Sequence, residues 1–349
     1  MNLFTKVDIP AAKFKIDYKS HLAFFGSCFA DNISAQFASR KFNVFVNPFG
    51  TVYNPLSIER NIQNITEAKV FGEQDVFKDE RSDGLWHSWD AHSSLSASSR
   101  EECIAKLNNA CTQAREFLQQ ADTAFITIGS AFVYSLGEKV VANCHRQDPR
   151  LFERRLISVE EASQSIQRTV SLLRQINRDI RIIFTVSPIR HLGDGAHGNN
   201  LSKATVLLAI EKALQEIASP LARNDVARLA SINTRVDICK SQQSCTLCND
   251  VAAYFPSYEI MMDELRDYRF YNDDMIHLSK TAEEYIFERM VETYCDSTTQ
   301  AHISQVEKFL KMANHRIQDE NSPASQELKQ KIATQAKELE KSIPGLILG

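Results

Sequence analysis

The sequence predicts an α/β protein built on one doubly wound, mainly parallel sheet, and two observations carry that prediction. Five short runs of β-forming and apolar residues alternate with longer segments whose apolar residues recur every three or four positions, the pattern of strands joined by crossover helices. The first run, Leu22-Ala-Phe-Phe, stops at Gly26-Ser27 and passes directly into a helical pattern. A strand, tight turn and helix of this kind puts the turn at the carboxyl edge of a parallel sheet, where α/β proteins open their clefts.

Residues 1–20 read as an extended lead-in, with Phe14, Ile16 and Tyr18 alternating so as to add an edge strand or pack over the sheet. The helix after the first strand carries Phe29, Ile33 and Phe37 at fourfold spacing, one apolar stripe against the sheet. Residues 41–47 form a β-rich run closed by Pro48, completing a first strand–helix–strand unit. If that second strand is parallel, Gly50 lies on the same rim as Ser27. Residues 55–65 read as a helix, but residues 70–98 break the alternation with short strands around Ser82-Asp83-Gly84. Trp86, His87, Trp89 and His92 in this insertion either wall a cleft or simply fill a hairpin.

The helix of residues 100–120 leads into a strand at 124–129, and the helix of 159–177 into a strand at 180–186. Asn199 to Ser202 looks like a helix start, giving a helix over 201–221 and a fifth strand at 226–232. Residues 233–272 are less regular, with helical character at 258–268, and a helix over 281–294 follows Asn272 to His277. From Thr298 the apolar spacing thins and charge rises, which predicts one or two peripheral helices and a flexible end at Pro344-Gly345. The expected division is therefore a main domain over 1–297 and a helical tail over 298–349.

Composition narrows the function classes. The 349 residues are 43% hydrophobic, enough for a sizeable core, and a formal charge of −4 argues against binding driven by phosphate neutralisation. No apolar run approaches the roughly 20 residues needed to span a bilayer, and no basic start followed by an apolar stretch opens the chain. A cytoplasmic protein without nucleic-acid or membrane partners is expected. Eight cysteines are too sparse for a disulfide scaffold, and Cys239, Cys245 and Cys248 lack the fourth ligand of a closed zinc site. No metal and no cofactor are expected.

The Gly26-Ser27 turn is the natural seat of a nucleophile. A serine hydroxyl needs an imidazole to take its proton, and the imidazole needs a carboxylate to fix its tautomer. Asp274-Met-Ile-His277 supplies both within one turn, with Asp273 the second choice of acid. Cys28 offers a thiol alternative, although the helix starting there should turn it toward the sheet. Backbone amides of Ser27 and Gly50 are the expected oxyanion donors, with Ser130, Asn54 or Asn143 as a third. Asn143, His145, Arg190 and His191 fall in loops at the same sheet edge and are expected substrate contacts.

Gly26-Ser-Cys-Phe-Ala30 resembles the motif that names the GSCFA family, a branch of the SGNH/GDSL esterase group. Further segments agree: Asn47-Pro-Phe-Gly-Thr-Val-Tyr-Asn-Pro55, Ile128-Gly-Ser-Ala-Phe-Val-Tyr134, Val141-Ala-Asn-Cys-His145, Thr185-Val-Ser-Pro-Ile-Arg-His191 and Asn272-Asp-Asp-Met-Ile-His277. The resemblance spans about residues 20–295 and implies a flavodoxin-like three-layer sandwich with a Ser/Asp/His site. It implies a serine esterase or acyl hydrolase acting on an O-acyl ester of a small molecule or carbohydrate. An acyltransferase, or a binding module that kept the cleft, are the alternatives. One departure concerns the oxyanion: the group keeps an Asn two residues after the Gly that follows its third strand, where Gly129-Ser130-Ala131 has Ala.

Overall fold

The computed structural model describes residues 5–80, 83–218, 251–314 and 323–348. Five strands pair in one all-parallel sheet: His21–Gly26, Asn43–Val46, Thr123–Ile128, Arg181–Val186 and Ala252–Tyr254. Numbered along the chain within this sheet, they lie side by side as 2-1-3-4-5. That is the flavodoxin-type order, in which the winding reverses between the first and third strands and a crevice opens at their carboxyl ends.

Period-two alternation explains the three layers. Ala23 and Phe25 of the first strand and Ala124, Ile126 and Ile128 of the third face one apolar cluster, filled by helices Pro55–Thr66, Arg100–Leu118, Val159–Ile176 and Gly195–Ala218. Leu22, Phe24 and Phe125 face the other, filled by helices Cys28–Ser39 and Lys280–Tyr294. Phe24 and Phe125 stack across neighbouring strands with ring centroids 4.6 Å apart. Each fully buried side chain of this size contributes roughly 1.5–3 kcal/mol, so the two clusters hold the layers together.

Several elements depart from expectation. The candidate strand at 226–232 and the cysteines at 239, 245 and 248 lie outside the described residues. The fifth strand of the sheet is Ala252–Tyr254, three buried residues too short to show alternation. A three-stranded antiparallel ribbon, Phe132–Leu136, Lys139–Val141 and Glu153–Leu156, grows from the loop after the third strand. The insertion at 70–98 does contain a two-strand pair, Phe77–Lys78 with Trp86–His87. Residues 5–20 add no strand; Phe14, Ile16 and Tyr18 are buried in the second cluster, with Tyr18 stacked on Phe42 at 4.4 Å.

The last residues are packed, not loose. Helices Ser297–Ala313 and Pro323–Ser342 bury Ile303, Val306, Phe309 and Leu339 in the second cluster, and Ile343, Leu346 and Leu348 join them. The spaced apolar residues past Pro344 outweigh the turn chemistry of Pro-Gly. No helix among the described residues is long and apolar enough to cross a membrane.

Candidate functional site

Gly26 ends the first strand with φ +127°, and a Cβ there would overlap the Thr127 carbonyl oxygen of the third strand. Only glycine lets the two chains come this close. Its amide donates to Asn47 Oδ1 (2.8 Å), and Asn47 Nδ2 donates to Asp31 Oδ1 (2.6 Å), so one side chain ties the turn, the second strand and the first helix together. Ser27 follows as the N-cap of helix Cys28–Ser39.

A cap serine normally accepts from an amide one turn on; the Ser27 hydroxyl does not. Ser27 is 1% exposed and its Oγ has no hydrogen-bond partner. Leaving a buried hydroxyl unsatisfied costs about 1–3 kcal/mol. Around it converge Gly129, Tyr53 and His191: a Cβ on Gly129 would lie 3.3 Å from His191 Nε2, 3.3 Å from the Tyr53 ring and 3.4 Å from Ser27 Cβ. Nε2 of His191 is likewise buried and without a partner.

Above this floor opens a cleft of about 780 Å³. Cys28, Tyr53, Asn54, Ser130, His191 and His277 line it, Ser27 itself does not, and the ribbon adds an apolar wall through Phe132, Tyr134 and Val141, with Phe152 just before its last strand. The turn before helix Lys280–Tyr294 brings His277 in, with its Nδ1 2.6 Å from Asp274 Oδ2. Amides of Ile276 and His277 also donate to Asp274 Oδ1, each at 2.9 Å. The bonds from the His277 ring, then from these two amides, hold the Asp274 carboxyl down at about 2. The ring is half exposed. Because Ser27 Oγ has no partner, no serine–imidazole hydrogen bond is formed in this structure.

The expected oxyanion donors are differently employed. The Ser27 amide donates to Thr127 O (3.2 Å) and the Gly50 amide to Asn47 O (2.8 Å). Gly50 also faces away from the cleft, because the space where its Cβ would stand is taken by His92 and Ser94. Amides of Gly129 and Ser130 both donate to Tyr53 O, at 2.7 and 2.9 Å. Ser130 lines the cleft, but its hydroxyl accepts from the Phe132 amide (3.0 Å) and sits 3.2 Å from Ser202 Oγ. Asn54 also lines the cleft; its Oδ1 caps the next helix through the Ser57 amide (2.8 Å), which leaves Nδ2 for a ligand.

Among the expected substrate contacts, Asn143, Arg190 and His191 line the cleft and His145 does not. His145 is buried behind the wall, its Nε2 on Ser88 O (2.8 Å), its Nδ1 near Ser93 Oγ (3.2 Å) and its ring 4.4 Å from that of His87. Burial pushes it down to about 4. Trp86, His87, Trp89 and His92 do not line the cleft either: Trp89 stacks on Phe77 at 3.7 Å, and His87 is held by Ser96 and Asp83. Within the insertion Trp86, His87 and Trp89 pack the hairpin, and His92 caps the turn that follows. Cys28 packs against the second cluster on the sheet, as expected, but also lines the cleft; burial raises its thiol above the ordinary value, which keeps it protonated and a poor nucleophile.

Sequence reasoning missed Lys203. It is buried beneath the cleft in helix Gly195–Ala218, and its Nζ donates to Gly129 O (2.6 Å) and Ser187 O (2.7 Å), the residues just past the third and fourth strands. Burial lowers it to about 7. Burial first, then the charges of Lys203 and His277, push His191 down to about 4, so its ring is neutral at pH 7. A lysine in an otherwise amphipathic helix carries no local mark of burial, so nothing short of the packing reveals it.

The fold and cleft define an α/β protein of the doubly wound kind, with a buried serine at the point where the strand order reverses. The chain belongs to the GSCFA family: the model of that family matches residues 21–220 and 238–290. No curated protein matches the sequence.

Proposed function

We propose that this protein is a serine acyl hydrolase of the SGNH kind, cleaving an O-acyl ester through Ser27, His277 and Asp274. The observation that carries the reading is the Ser27 hydroxyl: buried at a helix N-cap, yet spending no hydrogen bond on the cap. A fold keeps such a group when a ligand or a reaction uses it.

In this reading Ser27 Oγ attacks the ester carbonyl carbon while His277 Nε2 takes its proton, and Asp274 holds the opposite ring nitrogen. The imidazolium then protonates the departing alkoxide, leaving an acyl group on Ser27. Water, deprotonated by the same ring, releases the acid and restores the serine. The reaction needs the His277 ring within about 2.6–3.2 Å of Oγ, so in this reading the half-exposed His277 side chain closes on Oγ when substrate binds. With the rim amides already bonded to carbonyls, the oxyanion falls to Asn54 Nδ2 and to His191 Nε2 in its N–H tautomer.

A fluorophosphonate probe tests the nucleophile. Wild type should be labelled and Ser27→Ala should not, with p-nitrophenyl ester hydrolysis falling by about 10³-fold or more; labelling that persists in Ser27→Ala would refute it. A second reading makes His191 the base, favoured by its position beside Ser27. It predicts that His191→Ala loses as much activity as Ser27→Ala while His277→Ala stays near wild type.

A further inference from the structure

The charged groups that line the cleft are unbalanced. Arg146, Arg154 and Arg190 face it, against a single carboxylate among the described lining residues, Asp194. Arg154 and Asp194 form an ion pair with each other, and the nearby Asp274 is engaged by His277. Two guanidiniums remain. Among the described residues Arg190, half-buried, forms no ion pair and gives its one hydrogen bond to the Met262 sulfur (Nη2 to Sδ, 3.3 Å), a weak acceptor; Arg146 forms no ion pair there either. The buried Lys203 adds positive charge below whenever it is protonated. This occurs in a chain whose formal charge is −4, so the cleft is a local inversion of the overall field and draws anions.

Arginine rather than lysine at such a place matters, because its planar fork fits carboxylate and phosphate oxygens in pairs. Arg190 is adjacent in sequence to His191, and both line the cleft together with His277. An anionic group held there would lie close to the ester bond that Ser27 is read to attack, with the apolar ribbon wall left for the remainder of the molecule. We propose that the cleft recognises small carboxylate or phosphate anions through Arg190, assisted by Arg146, and that the ester substrate carries such a group beside the scissile bond. The second half rests on the hydrolase reading above; the first does not.

Calorimetric titration of the full chain with succinate and, separately, with inorganic phosphate tests the binding. Wild type and Ser27→Ala should bind at least one of them saturably, and whichever binds identifies the group. Arg190→Gln should weaken that binding by about tenfold, the effect of one lost charge-assisted pair, while Arg190→Lys keeps part of it. Lys212→Gln, which removes an exposed cation paired with Glu160 outside the cleft, should bind as wild type. Absence of binding for both anions, or binding in Arg190→Gln equal to wild type in a protein whose melting curve is unchanged, overturns the proposal. In hydrolysis, the preference for p-nitrophenyl hemisuccinate over p-nitrophenyl butyrate should fall by a similar factor in Arg190→Gln. Anion binding without hydrolysis of any ester would leave anion recognition standing and remove the hydrolase reading.

Discussion

Replacing Lys203 by Met separates two opposing contributions of one buried amine. At pH 10 the wild-type amine is neutral and gives two short hydrogen bonds to Gly129 O and Ser187 O; Met leaves both carbonyls without their donor, at about 1–3 kcal/mol each. At lower pH the amine must take a proton where burial opposes it, which is why its folded value lies at about 7 against 10.5. As pH falls between those values the unfolded chain is protonated and the folded one is not. Wild type therefore loses about 1.4 kcal/mol per pH unit, or roughly 4 kcal/mol between pH 10 and 7, and the loss stops below pH 7. Lys203→Met lacks this slope. The expected result is a variant clearly less stable than wild type at pH 10 and close to it at pH 7, read from urea midpoints of both proteins across that range. A stability difference that stays flat from pH 7 to 10 would refute the reasoning, because it would mean that folding does not shift this amine.

Asp274→Asn should lower kcat by about 10²–10⁴-fold with little change in KM, since the carboxylate orients His277 and stabilises its charged form; because Asp274 stays ionised down to about pH 2, any loss of activity between pH 3 and 6 must come from another group. Gly26→Ala should cost about 3 kcal/mol or more, judged by melting temperature or failure to fold, since the new methyl meets Thr127 backbone in a conformation that L residues avoid. His145→Phe should leave kcat/KM within a few-fold of wild type. Folding lowers His145 from 6.5 to about 4, so the unfolded chain takes the proton first as pH falls; about 3 kcal/mol of wild-type stability should disappear between pH 6.5 and 4 and be missing from the His145→Phe profile.

What local sequence determines here is what local physics controls. The alternation of strand and helix patterns, the turn at Gly26-Ser27 and the pairing of Asp274 with His277 all operate within a few residues; the first two are readable from spacing, and the third from its place before the closing helix together with the family resemblance. Residues 252–254 escaped notice because three buried residues hold no period, and Pro344-Gly345 misled because the apolar contacts of Leu346 and Leu348 are with distant chain.

The sequence by itself determined four of the five strands of the sheet, the helices that cover its two faces and the candidates for nucleophile, acid and base. Only the tertiary structure decided which polar groups are left over. It occupied the amides of Ser27 and Gly50 with carbonyls, withdrew His145 from the cleft lining, set His191 beside Ser27 and left Arg190 lining the cleft with no counter-charge among the described residues. The reason is that a donor or charge is available to a ligand only after the fold has met every closer demand on it, and those demands come from residues far away in sequence.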